Sequence, residues 1–441
     1  MTKEFPQFER CIRFASLTDT GMRRKNNQDS LNSLVSSEET FWRQRGHLFL
    51  VADGMGAHAA GELASKLAAD SIPHSYSKDL DSEPVAALQQ AIIEANDIIF
   101  QRGQANLEFQ GMGTTCSILL LLPEGAVVAH VGDSRIYRLR DGQLDQLSFD
   151  HSLVWEMQAA GRVSAEAAEM HLPKNIITRS LGPNRTVQID LEGPFPILAG
   201  DVYLLCSDGL TGPISDQQIG TILGCMPPEE AARTLIDMAN LRGGPDNISV
   251  IVAQVDHPPV AQNDRDRADS HSSKGVPIAW IAAAIFSLLA IAVSYWMFVV
   301  PEAPKLSDIK YAIPFALGAI VAVIVAVLKA RDHESEDPSV MQPVRMLGKA
   351  PHRSYDCKPS INTAENFANM AAELKQTASQ MELEVEWQIY DSIMERANEA
   401  MSNHDFKNGI FHYCEGISFL YAAFKNRNAE EQTSDSHVDL L

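Results

Sequence analysis

Five aspartates of this chain each lie in a turn marked by glycine or asparagine, and together they have the chemistry of a site for divalent cations. Hard carboxylate oxygens suit Mg²⁺ or Mn²⁺ rather than zinc. A buried group of like charges is costly on its own, so a metal is its natural partner. A single Asp-Gly pair would more often be only a turn. The five are Asp29, Asp53, Asp133, Asp208 and Asp246.

A candidate phosphate ligand, Arg24, lies in the segment that leads to the first of these aspartates. Its planar guanidinium can hold two oxygens of a tetrahedral oxyanion while metal ions hold the others. Two metals about 4 Å apart can share a water, lower its pKa and present hydroxide to a phosphorus atom. Such a pair needs a bridging carboxylate, and Asp53 is the best candidate because it ends an apolar run in a glycine-containing loop. Taken alone, Arg24 would more often be a solvated surface charge.

Apolar runs beside four of the aspartates predict the strands that would bring them together. Carboxylates at strand ends can converge although they are far apart in sequence. Two helices are predicted after the Asp53 turn, at about 61–71 and 84–103. The predicted strands are 48–52, 126–131, 202–206 and 248–252.

Length and composition limit the classes of protein to consider. The 441 residues suffice for about two or three domains. A formal net charge of −21 argues against a nucleic-acid partner held by phosphate neutralisation. The six cysteines show no metal-ligand spacing and are expected to be buried in a reducing compartment. Residues 1–13 contain charges and no apolar stretch, so we expect no secretory signal there.

Two uncharged segments predict a transmembrane helical hairpin at 277–328. Residues 277–300 and 311–328 are each long enough to cross a bilayer, and a polar linker precedes them at 257–274. The excess of Lys and Arg outside the hairpin predicts both termini in the cytoplasm. The chain is therefore expected to be a multi-pass protein of the cytoplasmic membrane. The alternative is a buried helical hairpin in a soluble protein.

A small all-α region is predicted at 361–427, after a second linker at 332–360. Apolar residues from Phe367 to Val385 repeat at steps of four and three, which suits a coiled-coil seam or ordinary helix packing equally. Residues 397–417 resemble one tetratricopeptide-like helix pair, although Gly409 and Gly416 stand where that repeat prefers alanine. These helices are candidates for binding a protein partner, and the oligomeric state stays open.

Residues 8–256 carry eight ordered motifs of one enzyme family. By these motifs the block resembles the metal-dependent serine/threonine protein phosphatases, the protein phosphatase 2C family, in its bacterial form. The resemblance covers a little over half of the chain. The motifs are DTGMRRKNNQD at 19–29, VADGMGAH at 51–58 with Gly61-Glu62, GMGTT at 111–115, VGDSRIY at 131–137, DHS at 150–152, TRSLG at 178–182, LCSDGL at 205–210 and GPDNISV at 244–250.

The resemblance implies a fold and a set of metal ligands. The fold would be an α+β, four-layer α-β-β-α sandwich with the metals at one edge of the cleft between two antiparallel sheets. Two or three Mn²⁺ or Mg²⁺ ions would be bound, with Asp53 bridging two of them and Gly54 contributing a backbone carbonyl. Asp208 and Asp246 would complete the ligands of one metal, and Asp133 with Asp208 would hold a weaker third metal.

The resemblance also implies the residues around the metals. Arg24 would bind the substrate phosphate. Asp29 would accept a hydrogen bond from metal-bound water, and Asn247 would lie with it behind the ligands. The segment 156–177 would be a flap beside the cleft that influences the choice of substrate.

Some positions depart from the family pattern, but none of them is an implied metal ligand. Ala57 replaces the glycine that usually precedes His58. Gln28 stands where some relatives have glutamate, so one water-mediated carboxylate is absent. Met55 occupies the position where animal relatives have a histidine proposed as general acid, so protonation of the leaving group would fall to water or to His58. We expect water, because bacterial members of the family commonly have Met at this position.

The leading hypothesis is a membrane-anchored phosphatase that hydrolyses phosphoserine and phosphothreonine in phosphorylated proteins and opposes a serine/threonine kinase. One alternative is a catalytically weak, membrane-held scaffold that binds phosphoproteins. Another is a receptor-like phosphatase that the hairpin or the tail regulates. The intact Asp53, Asp208, Asp246 and Arg24 favour the enzyme. The substrate, the kinase and the choice between Mn²⁺ and Mg²⁺ stay open.

Overall fold

The computed structural model describes residues 11–56, 59–163, 176–256, 344–346 and 348–438. The chain divides into two compact units. One consists of Met1–Asn263 and Pro343–Leu441 and contains all of the described residues, whereas the other, Asp264–Gln342, lies outside them.

The first sheet of the described residues is antiparallel throughout, and its neighbouring strands β10 and β11 are buried along almost their whole length. Its outer strand β1 pairs with β11 down to Asp19↔Ile248, so the turn after Asp19 lies beside the turn that precedes β11. In spatial order its strands are β1 (Ile12–Asp19), β11 (Ile248–Val255), β10 (Val202–Cys206), β7 (Arg135–Arg140), β8 (Gln143–Gln146) and β13 (Arg353–Asp356).

The second sheet is antiparallel except where β12 runs parallel to β9. Its register places Asp29 directly opposite Asp53. In spatial order its strands are β12 (Val344–Met346), β9 (Ile189–Phe195), β6 (Gly125–Val131), β5 (Cys116–Leu122), β3 (His47–Met55) and β2 (Asp29–Leu34), and β4 (Gly113–Thr114) pairs with the end of β3. All four strands predicted from the sequence are confirmed.

The helices begin at residues with recognisable start signals. Pro84 opens α3, where its missing N–H costs nothing, and Ser215 caps α6. The helix predicted at 61–71 is confirmed but continues past Pro73, because the side chains of Ile72 before it and Tyr76 after it are both buried in the core. The helices are α1 (Glu39–Arg45), α2 (Ala60–Lys78), α3 (Pro84–Ala105), α4 (Leu153–Ala159), α5 (Asp208–Thr211), α6 (Asp216–Cys225), α7 (Pro228–Leu241), α8 (Ile361–Gln380), α9 (Trp387–Ser402) and α10 (Phe406–Val438).

Successive side chains of a strand point to opposite faces of its sheet, so the interior is divided into layers. In β3, Leu48 and Leu50 pack against α2 and α3, whereas Phe49 and Val51 face the other sheet. On the outer side of the first sheet, α6 and α7 complete a further core. The predicted α-β-β-α sandwich is therefore confirmed.

The C-terminal region differs from the sequence-based expectation, because the predicted linker at 332–360 contains two strands. β13 pairs with the free edge of β8, and β12 pairs with β9. Between them, the buried carboxylate of Glu192 accepts from the backbone N–H groups of Lys349 and Ala350 at 3.1 and 3.4 Å. Residues 348–356 thus cross from the edge of one sheet to the edge of the other.

The helices α8, α9 and α10 pack against each other and against α6 and α7. Phe367, Ala371 and Ala378 of the predicted seam are buried in this packing, so the seam serves ordinary helix packing within the chain. Gly409 and Gly416 lie close to α9, where an added Cβ would meet Met401 and Met394 at 2.9 and 2.3 Å.

The expectation of a multi-pass membrane protein is contradicted. Among the helices that the structure describes, none has the length and apolar character needed to cross a bilayer. The long helices instead carry charges every few residues, as Glu62, Lys66 and Asp70 do in α2, and an ionised group in a bilayer core is costly. The segments 277–300 and 311–328 on which the expectation rested lie outside the described residues.

Candidate metal centre

Asp53 is held by its backbone at the end of the second sheet. The hydroxyl of Thr115 accepts from the Asp53 N–H at 2.8 Å, and the Thr115 N–H donates to the Asp53 carbonyl at 2.8 Å. The same hydroxyl is 2.8 Å from that of Ser134, next to Asp133. Thr115 therefore ties the end of β3 to the turn after β6, a role that its place in a family motif did not reveal.

The other predicted aspartates come from turns at strand ends and converge on Asp53. Asp133 follows β6, Asp208 begins α5 directly after β10, and Asp246 precedes β11. The carboxyl groups of Asp208 and Asp53 lie close enough for Asp53 to affect the pKa of Asp208. Asp53 is also close enough to Asp29, Asp133 and Asp246 for the charge of each to raise its pKa. The structure thus brings together all five aspartates.

Burial and mutual repulsion dominate the electrostatics of this group. Burial, and then the charges of the other four aspartates, raises the pKa of Asp53 well above its usual value. Burial raises the pKa of Asp133 to about 8, with the charge of Asp208 adding to it. It also raises the pKa values of Asp29 and Asp208 to about 6. A divalent cation would stabilise the ionised form of every member.

The donor set fits hard divalent cations. Asp29 Oδ1 and Asp133 Oδ1 are buried and have no hydrogen-bond partner among the described residues, and an orphaned carboxylate oxygen is costly without a ligand. In the described part of the chain, no three acidic, histidine or cysteine side chains are arranged to enclose one ion. Ions of the Mg²⁺ type are held by carboxylate and backbone carbonyl oxygens together with several waters.

Arg24 lies at the edge of the acidic group. Its Nη2 donates to Asp246 Oδ2 at 2.7 Å. Half of the Arg24 side chain and about a third of the Asp246 side chain are exposed, at 50% and 35%. An exposed pair of this kind is weak, so the guanidinium can turn toward an arriving anion at little cost.

Asn247 fixes the loop that carries Arg24. Its buried side chain donates to the carbonyls of Thr20 and Asn26 at 2.9 and 3.0 Å and accepts from the Gln28 N–H at 2.8 Å. Three hydrogen bonds from one side chain thereby attach both ends of the loop to the turn that carries Asp246. The sequence placed Asn247 near the ligands but did not predict this role.

Gly54 is required by close packing of the backbone. A Cβ at this position would lie 2.1 Å from the carbonyl oxygen of Gly61 at the start of α2. The Gly54 N–H donates to the Gln28 carbonyl at 3.1 Å. No side chain therefore covers the backbone at Gly54 beside the acidic group, which leaves its carbonyl accessible to a metal ion. Of the positions that depart from the family pattern, Ala57 lies outside the described residues, as does His58.

A cleft of about 410 Å³ opens beside Asp133 and Asp208. Its walls come from α4, from the segment around α5 and α6, and from β13 in the C-terminal segment. Arg353 of β13 lines this cleft, although the sequence predicted a linker there. Most of the predicted flap, residues 164–175, lies outside the described residues. The other residues of the cleft are Arg135, Asp150, Ser152, Val154, Trp155, Gln158, Thr211, Gly212 and Asp216.

The N-terminal part of this chain is similar to known proteins. The family model described as protein phosphatase 2C matches residues 22–218. A putative protein phosphatase 2C-type protein of Streptococcus pyogenes is 39% identical over 239 residues, which are 53% of this chain and 93% of that protein. The solved structure of the S. agalactiae serine/threonine phosphatase is 36% identical with a TM-score of 0.51, covering 56% of this chain and all of that one. The catalytic domain of PstP in complex with two manganese ions is 35% identical with a TM-score of 0.48, covering 56% of this chain and 99% of that chain.

Proposed function

Because this chain belongs to the protein phosphatase 2C family, an enzyme family of metal-dependent phosphoprotein phosphatases, we propose that it hydrolyses phosphoserine and phosphothreonine in proteins at the acidic group around Asp53. A serine/threonine kinase must produce such substrates, so the enzyme would oppose one. The observation that carries the proposal is the convergence of five aspartates, two of them buried, beside Arg24.

Each side chain has a role in this proposal that follows from its position. Asp53 would bridge two Mn²⁺ or Mg²⁺ ions, with Asp208, Asp246 and the Gly54 carbonyl as further ligands, and Asp133 would hold a third ion with Asp208. When bound, such ions lower the pKa of water and neutralise phosphate charge. Five residues supply these ligands, and the fit rests on the orphaned buried Oδ1 of Asp133 and on the raised pKa values of Asp53, Asp133 and Asp208.

Arg24 would bind the phosphoryl group of the substrate. The guanidinium exchanges its bond to Asp246 for two phosphate oxygens, to which its planar fork is complementary. Asn247 keeps the loop of Arg24 in reach during this exchange.

Asp29 would orient water rather than bind metal. Its Oδ2 accepts from the Ser207 hydroxyl at 2.8 Å, which fixes the carboxylate and leaves Oδ1 as an acceptor. Met55 at the end of β3 has no proton to donate, so solvent protonates the leaving serine or threonine oxygen.

The test is phosphate release from a phosphothreonine peptide by the full chain with Mn²⁺, compared with Asp208→Asn. We expect the substitution to lower turnover by more than about 100-fold, because even residues behind the ligands of a metal cost 10- to 100-fold. Asp391→Asn, which changes an exposed carboxylate on α9, is the matched control and should keep wild-type turnover. Equal turnover in Asp208→Asn would refute the proposed site.

A further inference from the structure

The C-terminal segment contributes an arginine to the cleft beside the proposed metal centre. β13 extends the first sheet by pairing with β8, in a register that places Arg353 opposite Gln146. The His352 N–H donates to the Gln146 carbonyl at 2.9 Å, and the Ser354 hydroxyl donates to Asp145 Oδ1 at 2.7 Å. The backbone of Arg353 is therefore fixed in the sheet on both sides. This residue lies beyond the part of the chain that the family model matches.

The side chain of Arg353 is held against the wall of the cleft. Its guanidinium carbon lies 3.8 Å from the centre of the Trp155 ring, and Nη2 donates to Gln158 Oε1 at 3.1 Å. Phe149 contacts Trp155 edge to face at 5.3 Å and so supports the ring from another side. A stacked guanidinium keeps the edges of its N–H groups free for an anion.

Two of the four aspartates that line this cleft are ion-paired with an arginine other than Arg353. Arg135 forms ion pairs with Asp150 at 2.8 Å and with Asp216 at 3.5 Å. Tyr137 donates a further hydrogen bond to Asp216. Among the described residues, Arg353 makes no ion pair within 4.0 Å and donates to the neutral Gln158, although its charge also acts on the nearby Asp150 carboxyl. The cation that the cleft offers to a ligand is therefore Arg353.

We infer that Arg353 binds an anionic group on the phosphoprotein substrate, next to the phosphorylated residue, and so determines substrate specificity. This inference rests on the proposed function, because the same cleft is lined by Asp133 and Asp208. A substrate whose phosphate lies at the acidic group places its neighbouring residues in the cleft. The anionic group is a carboxylate of Glu or Asp or a second phosphate, which share the oxygen geometry that a guanidinium binds.

The test compares matched phosphothreonine peptides that carry glutamate, glutamine or a non-hydrolysable phosphonate mimic of phosphoserine in the flanking positions. The full chain is assayed with Mn²⁺, and kcat and KM are measured separately. We expect KM to be about tenfold lower for an anionic flank than for glutamine, as one charge-assisted contact provides. A preference for glutamate alone identifies a carboxylate, and a preference for the phosphonate alone identifies a second phosphate.

Variants of Arg353 separate recognition of charge from a structural role. Arg353→Gln should abolish the preference, and Arg353→Glu should reverse it, whereas loss of packing alone would affect all peptides equally. The control Arg396→Gln removes an exposed arginine on α9 and should retain the preference. Equal KM values for all peptides in the wild type, or a preference that survives Arg353→Gln, would overturn the role of Arg353 but leave the proposed function standing. Absence of any turnover by the folded wild type would overturn the proposed function and the inference with it.

Discussion

At the scale of single residues, the site depends on side chains that hold loops as much as on those that meet the substrate. Asn247 is the clearest case, because its side chain joins the loop of Arg24 to the turn of Asp246. It occupies a buried position between two segments more than 200 residues apart in sequence. Removing it should disturb phosphate binding without touching the acidic group.

We predict that Asn247→Ala lowers kcat/KM for a phosphopeptide by about 10- to 100-fold, mainly through KM, because Arg24 loses its fixed position. Stability should fall by about 1–3 kcal/mol, since buried backbone groups lose their partner. Steady-state kinetics and thermal unfolding measure the two effects. Asn398→Ala removes an asparagine side chain that accepts from the Tyr413 hydroxyl at 3.0 Å, far from the acidic group in the C-terminal helices, and should leave kcat/KM unchanged. An unaltered KM in Asn247→Ala would contradict the positioning role.

His47 gives the fold a sensitivity to acid. It is fully buried, its Nδ1 accepts from the Ser36 N–H at 3.0 Å, and burial lowers its pKa to about 4. In the unfolded chain His47 takes up a proton near pH 6.5, whereas in the folded chain it stays neutral down to about pH 4. The contribution of His47 to stability is therefore full above pH 6.5 and is lost as pH falls toward 4, because protons bind preferentially to the unfolded state. The loss amounts to about 3 kcal/mol.

We therefore expect His47→Gln to remove this dependence from denaturant unfolding measured between pH 4 and 6.5. His404→Gln, at an exposed position, should retain it. A wild-type slope that persists in His47→Gln would show that other groups cause it.

At the scale of elements, the sequence predicted the parts of the site that rest on long apolar runs. The strands beside Asp53, Asp133, Asp208 and Asp246 are each five or more residues of buried side chains, and placing the aspartates at their ends was enough to predict convergence. β12 and β13 could not be predicted in this way. They have three and four residues, too few to show the alternation of apolar and polar residues that identifies a strand. They form because β9 and β8 offer open edges. Arg353 was missed with them.

The contact between α7 and α10 contains a buried charge that should weaken it. Burial raises the pKa of Asp237 to about 6, against hydrogen bonding by Ser418 and the positive charge of Lys425. A raised carboxyl pKa means that stability is highest below about pH 4 and declines as pH rises through 6. We predict that Asp237→Asn abolishes this decline and stabilises the fold at pH 7 by at most about 3 kcal/mol.

Urea unfolding at pH 4 and pH 7 measures the effect of Asp237. Between about pH 4 and 6.5, His47 makes stability rise with pH, whereas Asp237 makes it fall. The quantity to compare at each pH is therefore the difference in unfolding free energy between Asp237→Asn and the wild type. A variant that is less stable than the wild type at pH 7 would mean that the hydrogen bond to Ser418 outweighs the cost of the charge.

At the scale of the whole molecule, the C-terminal segment is an integral part of the unit that contains the phosphatase site. Its strands extend both sheets, and its helices share a core with α6 and α7. At the edge of the site, Lys425 of α10 forms an ion pair with Asp19 at 3.4 Å. The unit should therefore unfold as one.

We predict that Phe367→Ala, in the core shared by α8 and the phosphatase helices, lowers the unfolding free energy of the whole unit by about 3–5 kcal/mol. Ile361→Ala, on an exposed position of the same helix, should cost far less. Calorimetry should show one transition that shifts with Phe367→Ala. A separate transition for the helices, with the remainder unchanged, would contradict a common core.

The central claim is that the five converging aspartates act through bound metal to hydrolyse phosphoserine and phosphothreonine. The most direct measurement is phosphate release from a phosphothreonine peptide by the full chain after exhaustive chelation, followed by stepwise return of Mn²⁺. We predict no turnover in the chelated protein and recovery as Mn²⁺ is added. Turnover that survives chelation, or a folded protein that Mn²⁺ and Mg²⁺ both fail to activate, would contradict it.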